Sequence, residues 1–277
     1  MITSTSNARV KWVRALQTRP HARREEDVFV VEGIRMAYEA VIAELPVRLV
    51  FHTDHLSEQG RGLVNSLARL GAEVQTVSES VMAASSSTQT PPGLLVVLPI
   101  PKLRAPGEAS LSLVIDRIAD PGNLGSILRT ALAVGVDTIY LMKGSVDPFN
   151  PKVVRAGMGA QLHLPILPSS PKDIGDRLSD VQLWVAQQGE GVPYYAVDWL
   201  HPVALAIGSE AHGASDILQA RAKGRVHIPM QREAESSRPG LRQPSSYLKL
   251  NVSEMKNEHS CIDGVRRPWL APETRTN

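Results

Sequence analysis

Three short stretches place an acid, an amide, an arginine and several glycines at the ends of apolar runs, where open α/β sheets carry their ligands. The first is Asp116-Arg-Ile-Ala-Asp-Pro-Gly-Asn-Leu-Gly-Ser-Ile-Leu-Arg-Thr-Ala. An apolar strand runs into a turn at Pro121-Gly122-Asn123, and a helix is expected to open with Gly125 and Ser126. Asn123 suits the cap of that helix, and Arg129, one turn past Gly125, would project beside whatever binds at its N-terminus. The second is Ile207-Gly-Ser-Glu-Ala-His-Gly-Ala-Ser, where Gly208 and Gly213 bracket Glu210 and would let backbone approach a flat ligand closely. The third is Ile228-Pro229-Met230, a strand end that stops at a proline. Taken singly, each also reads as an ordinary strand-to-helix connection with a surface arginine, so no one of them decides the chemistry.

Alternating strand and helix patterns supply the elements that must hold these loops. Asn7–Leu16 spaces its apolar residues as a short amphipathic helix, followed by a strand at Phe29–Gly33, a helix at Arg35–Ala43 and a strand at Val47–Phe51. Helix Gly60–Leu70 and strands Glu73–Val77 and Leu94–Leu98 complete an α/β unit over residues 1–98. Pro99, Pro101, Pro106 and Gly107 break all periodicity, which makes 99–108 a linker. A second α/β unit, 109–236, has strands at Leu111–Asp116, Thr138–Met142, Gln182–Ala186, Val203–Gly208 and Gly224–Pro229, with helices at Gly125–Val134 and Pro151–Met158. Its strands are continuously apolar, the mark of a parallel sheet buried on both faces.

Other chemistries lack their residues. Neither unit opens with Gly-x-Gly-x-x-Gly after its first strand, and there is no phosphate-loop lysine, nucleophile-elbow serine or His-Glu-x-x-His. The eight histidines are scattered, so no metal site is expected, and the single Cys261 rules out an intramolecular disulfide and Cys-rich zinc sites. The N-terminus has no secretory apolar core, and the apolar run Gly93–Ile100 is too short to cross a bilayer, so a cytoplasmic protein without a membrane partner is the default. Net charge is only +2 with a pI near 8.7. Yet Arg9, Lys11, Arg14, Arg19, Arg23 and Arg24 all precede the first acids at Glu25, Glu26 and Asp27. Such a patch suits phosphates, and it equally suits a solvated helix face.

In order, the loops resemble those of the SpoU/TrmH-type RNA 2′-O-ribose methyltransferases, within the SPOUT class of knotted enzymes. Asp120-Pro-Gly-Asn-Leu-Gly-Ser-Ile-Leu-Arg-Thr-Ala is similar to the family's first motif, and Asp147-Pro-Phe-Asn-Pro-Lys-Val-Val-Arg-Ala-Gly-Met-Gly-Ala to its middle segment. Ala206–Ala214 is similar to the second motif and Ile228-Pro-Met to the start of the third. Ser6-Asn-Ala-Arg-Val-Lys with Phe29-Val-Val-Glu-Gly-Ile-Arg resembles the family's substrate-binding domain, itself related to ribosomal RNA-binding proteins. The resemblance implies a small α/β RNA-binding domain followed by a methyltransferase domain with a deep trefoil knot, an exception to the rule against threaded loops. It implies a homodimer that binds S-adenosylmethionine in the knot and methylates a ribose 2′-hydroxyl, ribosomal RNA first and transfer RNA next, without a metal. Gly208, Gly213, Ile228 and Met230 would contact the cofactor, Asn123 and Glu210 would organise the active site, and Arg129 would act at the 2′-hydroxyl. A guanidinium hardly ever deprotonates, so Arg129 fits a clamp on an RNA phosphate better than a base. Arg9, Lys11, Arg23, Arg24 and Arg35 would contact RNA.

The pattern breaks after Glu235-Ser236. Where the family continues into an apolar helix, this chain reads Ser237-Arg-Pro-Gly-Leu-Arg-Gln-Pro, with two prolines and no apolar stripe. A reading-frame shift near Ser236 accounts for this, since codons exist for Ser237–Asn251 that spell an apolar helix one base out of phase. The rival is an insertion, with Leu250-Asn-Val-Ser253 as a displaced third motif. Residues 237–277 are polar and poor in aromatics, which is the composition of a disordered tail. Two further readings follow: an RNA-binding homologue whose tail has impaired catalysis, and an enzyme of another adenosine ligand that binds no RNA.

Overall fold

A computed structural model describes residues 1–229, apart from Glu108 and Leu200. The expectations that fall on Met230, on the frame near Ser236, on the tail and on the threading segment of a knot lie outside the described residues.

The first half alternates helix and strand. Asn7 caps α1 (Ala8–Thr18), its side chain accepting from the Arg9 amide, and α2 (Pro20–Glu26) follows with proline in its first turn. Then come β1 (Val28–Glu32), α3 (Ile34–Ile42), β2 (Leu49–His52), α4 (Glu58–Arg69), β3 (Glu73–Thr76), α5 (Glu79–Ser85) and β4 (Leu94–Pro99). The sheet order is β1-β4-β2-β3, with only the β2–β3 pair parallel. The two-residue period of β1 sorts its side chains: Val28 and Val30 pack under α1 and α5, while Phe29 and Val31 pack under α3 and α4.

The second half builds a wholly parallel sheet: β5 (Leu111–Ile115), α6 (Pro121–Val134), β6 (Thr138–Met142), α7 (Pro151–Gly157), β7 (Ile166–Ser169), α8 (Pro171–Arg177), β8 (Gln182–Ala186), β9 (Val192–Pro193), β10 (Val203–Ile207), α9 (Asp216–Arg221) and β11 (Gly224–His227). Strand order is β7-β6-β5-β10-β8-β11-β9. Leu113, Ile115 and Leu205 face α6 and α7, while Val114, Ala204 and Ala206 face α8 and α9, so both faces are buried. The chain leaves β5 toward β6 and β7 and later returns on the other side through β8 and β10. The β5–β10 boundary is therefore a topological switch point, with strand carboxyl ends gathered along one edge.

The joint between the sheets is tied by a buried ion pair. Arg23 is 1% exposed, and its guanidinium donates to Asp147 Oδ2 at 2.6 and 2.9 Å and to the Leu16 carbonyl at 2.6 Å. Phe29 stacks obliquely on Phe149 with centroids 5.0 Å apart. Val154 and Leu162, from the second half, belong to the apolar cluster beneath α3 and α4.

Candidate active site

Helix α6 opens four residues before the expected Gly125. Asp120, in extended conformation, caps it by accepting from the Asn123 amide at 2.7 Å, and Pro121 fills the first position. Asn123 is therefore not the cap. It sits in the first turn, where its side-chain amide donates to the Glu210 carboxylate. That bond stitches the β5–α6 loop to the loop after β10.

The second loop is shaped from inside. Its backbone folds back on itself, with a bridge between Ser209 and Gly213 and the Gly213 amide donating to the Ser209 carbonyl at 2.8 Å. A Cβ on Gly208 would lie 2.0 Å from the Gly213 carbonyl carbon, so glycine is required there by the returning loop itself. Gly213 has φ +65° with open space where a side chain would go, and its carbonyl accepts from Arg117 Nη2 at 3.5 Å. Asp116 anchors the loop's far end. This carboxylate is 2% exposed and accepts from the Ser215 amide at 2.7 Å, while its own amide donates to the Ile207 carbonyl at 2.9 Å. Arg117, left-handed at φ +56°, lies beside Asp116 at 3.5 Å.

Arg129 stands apart. It is exposed and makes no side-chain hydrogen bond or ion pair among the described residues. Six residues past Asn123, it lies about 9 Å further along the helix axis and roughly 120° around it. The structure thus brings Asn123 and Glu210 together and leaves Arg129 on another face. Gly125, between them, is a packing residue: a Cβ there would lie 2.5 Å from Ala156 Cβ and 2.7 Å from the Val153 carbonyl of α7. Ile228 is half-buried just beyond β11, and the neighbouring His227 Nδ1 is buried with no hydrogen-bond partner among the described residues.

Among the basic residues, Lys11, Arg24 and Arg35 are exposed without carboxylate partners among the described residues, and Arg9 is half-exposed and paired with Glu73. Arg23 is a correction. Its guanidinium is spent on Asp147 and Leu16 inside the joint and has no surface to offer a phosphate. Asp116 and Asp120 were missed as organisers. Asp120-Pro121 carried the signal of a helix cap followed by a first-turn proline, whereas Asp116 shows only as an acid at a strand end. Among the described residues, no group of three or more His, Cys, Asp or Glu could hold a metal ion, and no helix is long and apolar enough to cross a membrane.

Residues 110–237 match the model of the SpoU rRNA methylase family, and residues 7–96 match that of the MRM3-like substrate binding domain. An uncharacterized tRNA/rRNA methyltransferase of Synechocystis is 32% identical over 241 residues, which cover 85% of this chain and 87% of that one. The chain belongs to the SpoU family. Another relative, the Bacillus subtilis 23S rRNA (guanosine(2553)-2′-O)-methyltransferase RlmP, is 28% identical over 85% of this chain and 92% of its own length. Among solved structures, an RNA 2′-O ribose methyltransferase superposes with a TM-score of 0.77 at 27% identity, covering 93% of this chain and 98% of that one. In the SpoU match, the paired Asn123 and Glu210 and the exposed Arg129 all lie within the matched span, which ends one residue after the sequence leaves the family pattern.

Proposed function

We propose that this chain methylates a ribose 2′-hydroxyl of RNA, most directly 23S ribosomal RNA, working as a homodimer in the cytoplasm with S-adenosylmethionine as methyl donor. The observation that carries the reading is the Asn123–Glu210 contact, which joins two strand-end loops at the switch point of a parallel sheet in a SpoU family member. The described part of that edge suits an adenosine cofactor. Ile207 and Ile228 offer half-buried apolar strand ends on either side of β8, and His227 Nδ1 is a buried polar atom without a partner among the described residues. Gly208 and Gly213 would hold the ligand through backbone. Bound there, the sulfonium cofactor supplies an electrophilic methyl group. Glu210 and Asn123 hold the two loops in register, and Arg129, permanently charged, clamps an RNA phosphate next to the target ribose. Lys11, Arg24 and Arg35 meet the RNA backbone further out.

Calorimetric titration of S-adenosylmethionine into the purified chain, followed by methyl transfer to deproteinised 23S ribosomal RNA, tests this. Micromolar binding, about −8 kcal/mol, and transfer that Arg129→Ala abolishes are expected. Transfer that survives Arg129→Ala removes the role given to that residue. A second reading, RNA binding with transfer lost, draws on the family match ending at residue 237. It predicts salt-sensitive RNA affinity with no methylated product.

A further inference from the structure

We infer that the RNA backbone is gripped by a composite surface across the joint, made of the hydroxyl-rich loop Ser86–Thr90, Arg155 and Lys152 of α7, and Arg35 of α3; this rests on the RNA reading above. Arg155 lies on the catalytic half, yet its Nη1 donates to Ser87 Oγ of the first half. A hydroxyl does not neutralise a guanidinium. Arg9, Arg48 and Arg225 each face a carboxylate (Glu73, Glu26 and Glu190), whereas Arg155 faces none among the described residues. Lys152, three residues earlier, is also exposed and shares its helix face.

The loop opposite is built to stay in place. At the end of β1 the Glu32 carboxylate accepts from Ser86 Oγ, from the Ser87 amide at 3.0 Å, from Ser87 Oγ at 2.6 Å and from Gln17 Nε2 at 2.8 Å. Those neutral donors occupy its oxygens without cancelling its charge, so Glu32 acts as the anchor of the loop. Ser87 Oγ donates to Glu32 and accepts from Arg155, which makes Glu32 a positioning residue for the Arg155 guanidinium. Pro92 packs against Gly33, at φ +89°, the residue that opens α3, and Arg35 is exposed in the first turn of that helix. The joint underneath is held by Arg23–Asp147 and Phe29–Phe149. Guanidinium and ammonium donors are the groups that meet phosphate oxygens, and the loop, its own Ser86, Ser87 and Thr88 protons already spent, sets where Arg155 presents its guanidinium. Because they straddle a locked joint, RNA seated on them is held at a defined distance from the Asn123–Glu210 loops.

Filter binding of the full chain to deproteinised 23S ribosomal RNA over a series of KCl concentrations tests this, alongside cofactor calorimetry and urea unfolding. Arg155→Ala is expected to raise Kd roughly five- to tenfold and to flatten the slope of log affinity against log salt by about 0.7–0.9, with cofactor affinity unchanged. Ser87→Ala, which removes only the hydroxyl between Glu32 and Arg155, should raise Kd roughly two- to threefold without moving the urea midpoint. That second variant keeps the inference refutable if Arg155→Ala folds poorly. Wild-type protein that binds and methylates the RNA while both variants keep its affinity and salt slope overturns this surface alone. Wild-type protein that binds no RNA overturns both this surface and the RNA reading beneath it.

Discussion

Replacing Gly125 by alanine sets two effects of known size against each other. Alanine is favoured over glycine inside a helix by about 1 kcal/mol, so propensity alone predicts a gain in α6. The structure predicts a loss. The new Cβ would sit 2.5 Å from Ala156 Cβ, 2.7 Å from the Val153 carbonyl oxygen and 2.9 Å from the Gly157 amide nitrogen. Carbon atoms rest about 3.5–4.0 Å apart, so α6 and α7 must separate by about 1 Å, against backbone that has no rotamer to yield. Neighbouring Leu124 and Leu128 are fully buried in the cluster that contains Val153, so the separation loosens a packed core. Overpacking of this kind costs roughly 1–3 kcal/mol, and the crowding by backbone atoms favours the upper part of that range. The net expectation is a destabilisation of about 1–2 kcal/mol, or roughly 2–6 °C in Tm. Gly62 in α4 is the matched control, because it is exposed and a Cβ there meets nothing within 4 Å. Gly62→Ala should stabilise by about 0.5–1 kcal/mol. Urea and thermal unfolding of both variants decide the matter: a Gly125→Ala protein at least as stable as wild type would refute the claim that the crossing governs this position.

Further outcomes follow from the same contacts. Arg23→Ala should cost about 3 kcal/mol, because it strands Asp147 at the joint, yet leave the salt dependence of RNA binding intact, while Arg24→Ala should do the reverse. Asp116→Ala removes the acceptor of the Ser215 amide and should weaken S-adenosylmethionine binding in calorimetry by roughly tenfold, whereas Asp116→Asn should retain part of the affinity. The Asp173 carboxyl at the start of α8 is held below its usual pKa by the Ser170 hydroxyl and then the Ser170 amide. A depressed pKa contributes stability above the ordinary carboxylate range. That contribution fades as pH falls through the lowered value, and Asp173→Asn should remove this part of the acid dependence from urea midpoints.

What was legible in the sequence followed the length of its periodic signals. Strands such as Leu111–Ile115 and Val203–Ile207 are unbroken apolar runs, and the two-sided burial that makes them so is also what makes them readable. Helices α2, α5, α8 and α9, six or seven residues each, were not legible because their few apolar positions form no recurring stripe, whereas α7, equally short, was read as a helix. β7 hid behind Pro168, which an edge strand tolerates because one side of its backbone needs no partner. At the site, residue types were readable while roles were not. Asn123 looked like a cap because a turn precedes it, but the cap belonged to Asp120, and that freed the Asn123 amide to reach Glu210 across 87 positions of sequence.

The same limit explains the misreading of Arg23, and it bears on how the two halves work together. Six basic residues precede Glu25 with no acid among them, and nothing local separates one from another. The acid that singles out Arg23 is Asp147, 124 positions on, in a segment otherwise read as part of the catalytic domain. Long-range pairing of this kind leaves no periodicity, so a charge that locks the joint looks in sequence like a charge that greets RNA. The consequence is physical. The joint removes one cation from the surface and in return holds the Ser86–Thr90 loop against Arg155, so the surface offered to RNA depends on fold as much as on charge. Substitutions at the joint should therefore disturb stability first and RNA register second, while substitutions at Arg24 or Arg155 should change affinity in a folded protein.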